Sequence, residues 1–183
     1  MYNNSIYFFD KVLEINPDDT DALNNKGLSL MRLRQYANAT SVFERVLSLN
    51  IEDVGALNGL GSVYANQGEI EKGMSYFEKA LEINPEYVSA LNNKAAAFRD
   101  LGNYDESIKI YDQVLEIDPQ NKDAIEGKEK TIDKRLGESV GSFEQSLQGI
   151  DQIVTSVHFL LGVAIVGVIL SFLFWFKPRR LQM

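Results

Sequence analysis

The pentapeptide Leu-Glu-Ile-Asn-Pro occupies residues 13–17 and stands again, letter for letter, at 81–85. The same slot reads LSLNI at 47–51 and LEIDP at 115–119, so the chain returns to one phrase every 34 residues. A fixed period of this size denotes a stacked array rather than a closed globule. Framed from Thr20, Val54 and Val88, the fourth place is Leu23, Leu57 and Leu91, the eighth is Gly27, Gly61 and Ala95, and the eleventh is Leu30, Tyr64 and Phe98. Further on, the twentieth is Ala39, Gly73 and Ser107, the twenty-fourth Phe43, Phe77 and Tyr111, the twenty-seventh Val46, Ala80 and Val114, and the thirty-second Ile51, Pro85 and Pro119. Bulky residues recur at helical spacing with small ones between them. That arrangement needs two helices per unit, close together at the small residues and filled by the bulky ones. The repeated phrase is then the end of the second helix, because proline lacks an N–H and pushes the residue before it out of the helical region.

With these places in register, residues 20–121 resemble three tetratricopeptide repeats (20–53, 54–87 and 88–121). The resemblance implies an all-α solenoid of helix-turn-helix units. Ser5, Phe9, Val12 and Pro17 fall on the twentieth, twenty-fourth, twenty-seventh and thirty-second places of an earlier unit, so residues 1–19 read as a half repeat holding its second helix alone. Residues 122–136 continue the frame with Ile125 and Ile132 on one face, but Glu129 stands where a small residue packs. This segment reads as the polar capping helix that repeat arrays carry at their ends. In the turn after the first helix, Gly68 and Gly102 suit a left-handed C′ position. Arg34 holds the equivalent place in the first repeat, where it either costs about 1 kcal/mol or forces a different turn.

Beyond the array, residues 137–152 form a juxtamembrane segment that is rich in Gly and Ser, yet places Val140, Phe143, Leu147, Ile150 and Val154 at alternating steps of three and four. A flexible linker and a helical stalk both fit. Residues 153–176 are an uninterrupted apolar run. At about 1.5 Å per residue it is long enough to cross a hydrocarbon core of about 30 Å as a single transmembrane helix. Phe172, Phe174, Trp175 and Phe176 suit an interfacial aromatic belt, and residues 177–183 form a tail with Lys177, Arg179 and Arg180. The positive-inside rule would place that tail in the cytoplasm. Moving a folded amino-terminal domain across a membrane without a signal is the harder course, however, and the layout resembles tail-anchored proteins. The expectation is therefore a single-pass membrane protein with a cytosolic repeat domain, the opposite topology remaining open. Gly167 and Ser171 form a small-xxx-small pair that could bring two such helices together.

Charge and composition exclude several activities. The chain has 18 basic and 26 acidic residues, and the last 33 residues hold three of the basic and one of the acidic. The array is thus strongly acidic and repels phosphate backbones, which argues against nucleic acid. Cysteine is absent, and the one histidine, His158, lies in the apolar run. No thiol nucleophile and no histidine acid or base can serve the array. No enzyme, metal or cofactor is expected.

What the array offers is a groove. In the family, the second, fifth, ninth and twelfth places of each first helix line the concave surface, and their spacing puts them on one helical face. Here they are Asp21, Asn24, Leu28 and Met31, then Gly55, Asn58, Ser62 and Ala65, then Ser89, Asn92, Ala96 and Arg99. Asparagine holds the fifth place every time, so Asn24, Asn58 and Asn92 form either a ladder gripping an extended peptide or a merely polar stripe. Some family members clamp a carboxylate-ended chaperone tail with cationic residues, but those places read Asn24, Leu28, Gly59, Ser89 and Asn93, which leaves the clamp without a cation. Two functions fit: an adaptor holding a protein or peptide partner at a lipid bilayer, and an assembly component that forms a homo-oligomer through stalk and span.

Overall fold

The computed structural model describes residues 2–175, with side chains from 4 to 171. Phe176 and the basic tail lie outside the described residues, as do the side chains assigned to the aromatic belt. The described chain is helical throughout: α1 (Tyr2–Ile15), α2 (Thr20–Arg32), α3 (Tyr36–Leu49), α4 (Val54–Asn66), α5 (Ile70–Ile83), α6 (Val88–Asp100), α7 (Tyr104–Ile117) and α8 (Lys122–Trp175). It divides into two compact units, Met1–Arg135 and Leu136–Met183. In the first unit, α2–α3, α4–α5 and α6–α7 pack as antiparallel pairs in a solenoid of three repeats, preceded by α1 as a second helix without its first.

Every junction repeats a local solution. After each first helix the backbone makes a six-to-one closure, Gln35 N–H to Leu30 O, Glu69 N–H to Tyr64 O and Asn103 N–H to Phe98 O, at 2.9–3.0 Å. This Schellman turn requires a left-handed residue one place earlier. Gly68 and Gly102 supply it at φ 89° and 81°, and Arg34 adopts it at φ 59°. The first repeat therefore keeps the common turn and bears the strain of a side chain there, about 1–2 kcal/mol. The second helices end just as uniformly, and here the structure qualifies the role of proline. Ile51 replaces it in the first repeat, yet α3 still stops at Leu49. The constant element is the residue before: the side chains of Asn50, Asn84 and Asp118 accept from the N–H of Glu52, Glu86 and Gln120 at 3.1–3.2 Å. These Asx turns stop the helix whether or not proline follows.

The core is built from aromatic wedges. Phe43 is fully buried, and a Cβ added to Gly27 or Gly59 would lie 2.6 Å or 2.4 Å from its ring. The ring of α3 thus sits between the first helix of its own repeat and that of the next. Phe77 lies as close to Gly61, and Tyr111 to Gly127. Ion pairs join the same neighbours at the rim, Lys26 to Asp10, Lys94 to Glu78 and Lys128 to Asp112, each from the seventh place of one unit to the twenty-fifth of the unit before. In the second repeat that lysine is replaced by Leu60, which is buried in the core instead.

Within the first unit, the opening turns of α8 pack on α7, where buried Ser107 and Thr131 share a hydroxyl contact of 3.2 Å. Glu129 is exposed. Residues 137–152 are helical and continuous with the apolar run within α8. Over 136–171 nearly every described side chain is exposed, among them Phe143, Ile150, Phe159 and Val168.

Gly→Ala inside a helix ordinarily stabilises by about 1 kcal/mol. Gly59→Ala is expected to do the opposite, lowering unfolding free energy by roughly 1–3 kcal/mol through overpacking against Phe43. Urea denaturation followed by circular dichroism measures it, and a gain in stability would mean the wedge is loose.

Candidate ligand groove

The first helices α2, α4 and α6 align one face along a groove of about 540 Å³. It brings together nine of the residues named from sequence: Asp21, Asn24, Leu28, Met31, Gly55, Asn58, Ser62, Ser89 and Asn92. Arg99 is not among them. It lines an adjoining concavity of about 220 Å³ that shares Asn92 and Asn93 with the groove, and its Nε is held by Asp100 at 3.1 Å. Burial raises the Tyr111 phenol in that concavity above its ordinary value, so the ring stays neutral.

The asparagines do not stand free. Asp53 caps α4, its Oδ1 accepting from Ala56 N–H at 2.8 Å, and the same oxygen accepts from Asn24 Nδ2 at 3.0 Å. One repeat unit pair further on, Asn121 Oδ1 accepts from Ala124 N–H at 3.0 Å and from Asn92 Nδ2 at 3.1 Å. Each amide is thus spent tying a first helix to the cap of the next. The orientation follows from chemistry, since an oxygen that already accepts a backbone N–H needs a second donor from the asparagine. As a result Asn24 Oδ1 and Asn92 Oδ1 are buried at the groove wall without a hydrogen-bond partner. The middle asparagine breaks the pattern because the cap place ahead of it is Tyr87, which makes no side-chain cap. Asn58 Oδ1 instead accepts from Asn93 Nδ2 at 2.9 Å, and Asn93 also donates to Ser62 Oγ at 3.1 Å.

A ladder of donors facing a peptide is therefore not what these amides form. Among the described lining residues the charged ones are Asp21 and Asp123, so the groove is acidic, with Leu28 and Met31 as its apolar end. Sequence reasoning passed over Asn121, Asp123 and the bonding role of Asn93. The signal was available: Asp19, Asp53, Tyr87 and Asn121 recur at 34-residue spacing just before each first helix, the N-cap place.

Comparison with known proteins agrees with this architecture. Family models described as tetratricopeptide repeat match residues 52–120 and 8–40. No curated protein sequence matches the chain. Among solved structures, MamA (41-end) from Desulfovibrio magneticus RS-1 is similar at 26% identity and a TM-score of 0.54, over 66% of this chain and 68% of that one. YrrB, described as a TPR protein with an unusual peptide-binding site, is 23% identical with a TM-score of 0.53, over 73% and 69%. The first TPR of Spaghetti (RPAP3), bound to the HSP90 peptide SRMEEVD, is 22% identical with a TM-score of 0.57, over 63% and 91%.

Asp19 caps α2 through Ala22 N–H alone, whereas Asp53 caps α4 and holds Asn24. Asp19→Ala is expected to cost about 1 kcal/mol, and Asp53→Ala about 1 kcal/mol more through the lost Asn24 bond. Equal losses in thermal unfolding would show that the Asn24 bond contributes nothing.

Proposed function

The chain belongs to the tetratricopeptide repeat family, and on that premise we propose that it is a non-enzymatic adaptor which binds an extended basic or neutral segment of a protein partner and is held at a membrane by α8. The observation that carries the reading is the groove lining: its charged residues are Asp21 and Asp123, and the Asn24 and Asn92 amide nitrogens are engaged with the caps of neighbouring helices. Two carboxylates in the lining favour a cationic side chain on the ligand and disfavour an anionic one. The same wall disfavours acidic peptides of the kind bound by the Spaghetti domain, because the equivalents of a carboxylate clamp here hold no cation. Leu28 and Met31 add a place for one apolar side chain beside the polar stretch.

Anchoring rests on α8. From Ile153 to Ser171 its described side chains are apolar or small, save His158, and all are exposed. That many exposed apolar side chains need a lipid or protein cover, and the helix is long and apolar enough to cross a bilayer. A repeat array amino-terminal to the span stays in the cytosol when the span inserts after the array has been made.

Two measurements test this. On arrays of extended peptides of graded charge, the full-length protein in detergent should retain basic and neutral peptides over acidic ones. Asp21→Asn with Asp123→Asn should weaken basic-peptide binding about three- to tenfold, the loss of about 1 kcal/mol, and indifference to peptide charge would reject the groove reading. For topology, an amino-terminal epitope on sealed cells should resist external protease and be cleaved once the cytosolic face is opened. Cleavage from outside would place the repeats on the other side.

A further inference from the structure

The alternating steps of three and four between residues 137 and 152 do not stop where the apolar run begins. Within the second unit they run from Leu136 through Val140, Phe143, Leu147 and Ile150. They continue without a stutter through Val154, Val157, Leu161, Ala164, Val168 and Ser171. Ten of these eleven places are apolar, and the large residues among them are 45–67% exposed. In heptad terms Leu136 holds d and Val140 holds a. One apolar seam therefore runs for about five heptads, above the three or four that mark a coiled coil.

We propose that α8 pairs with α8 of a second copy as a parallel, in-register coiled coil whose seam begins in the polar stretch and continues through the span. From 137 to 152 every residue off the seam is Gly, Ser, Gln, Asp or Glu. Gly137, Gly141 and Gly149 each weaken a solitary helix by about 1 kcal/mol relative to alanine, and nothing lies within 4 Å of where their Cβ would stand. A stretch of this composition holds its helix by packing the apolar stripe, since propensity alone leaves it marginal in water. Inside the span every face is apolar, and small residues mark the seam instead: Ala164 and Ser171 lie on it and Gly167 beside it. Such residues let two helices approach closely where water no longer drives them together.

The flanking places decide the occupant and its direction. In a parallel pair the e places Glu144 and Asp151 meet the g places Ser139 and Ser146 of the second copy, so no like charges face each other. An antiparallel pair would set these carboxylates against one another. Two copies that cross one bilayer in the same sense also bring each seam residue to the depth of its counterpart, which fixes the register without a salt bridge. A foreign helix would need the same unbroken repeat on both sides of the water–lipid boundary, and a second copy has it by identity. The pairing rests on the anchoring of α8 proposed above and makes no use of the ligand groove. Its consequence is two arrays carried on one stem.

Because the protein has no cysteine, single-cysteine variants of the full-length chain report the seam without background. In oxidised membranes Leu147→Cys, Ile150→Cys and Val157→Cys should give disulfide dimers about fivefold or more above Gln145→Cys and Gln148→Cys, which lie on the opposite face. Adding Leu147→Asp, which sets like charges face to face, should lower the yield at Val157→Cys about tenfold, whereas Gln148→Asp should leave it unchanged. Monomers only, disulfides to a chain of different mass, or equal yield on and off the seam would overturn the pairing. An unchanged yield with Leu147→Asp would overturn its continuity into the span. Alkaline carbonate extraction of the same membranes separates the two readings: release of the protein rejects the anchoring and the register with it, while retention without seam-specific dimers rejects the pairing alone.

Discussion

Everything in the array depends on how closely a first helix approaches the second helices on either side of it. That distance is set by aromatic rings pressed against backbone that lacks a side chain. Phe43 touches Gly27 within its own repeat and Gly59 in the next, so one ring fixes two packing relations at once. The tight approach converts a local helical hairpin into a stack with defined neighbours. It also turns the opposite faces of α2, α4 and α6 toward one side, which is what makes a groove.

Polar bonding then rides on that spacing. Asn24 and Asn92 reach the caps of the following first helices only because those caps are brought within about 3 Å. The groove wall is therefore part of the scaffold: the amide nitrogens hold the stack and the amide oxygens are left facing inward. Tyr87 shows how sensitive this is. One aromatic residue at a cap place redirects Asn58 to Asn93 and makes the middle of the groove chemically distinct from its ends. A surface that is rigid, acidic and short of donors selects its ligands by what they bring to it.

The architecture was legible in the sequence because a repeat states its own register several times over. Seven places agree across three units, so bulky, small and aromatic positions are defined by one another rather than by propensity alone. Nine of the twelve groove residues named from that register line one groove, and Ala65, Ala96 and Arg99 line adjoining concavities. Arg99 did not join them, since at the twelfth place of the last complete repeat it turns to Asp100 and the next concavity. The reading of proline as the helix stop was incomplete for a related reason. Ile51 interrupts the pattern, and only the backbone bonding shows that the preceding Asn or Asp carries the turn.

Periodicity determined by itself the all-helical fold, the repeats and the face that lines the groove, because helical spacing and side-chain volume are local properties written along the chain. The direction of each amide and the separation of Arg99 from the groove were decided by tertiary structure alone. The amides depend on partners 29 or more residues away, such as the Asp53 carboxylate beside Asn24. A sequence names the groups that can bond or pack; the fold decides which of them are left with nothing to meet.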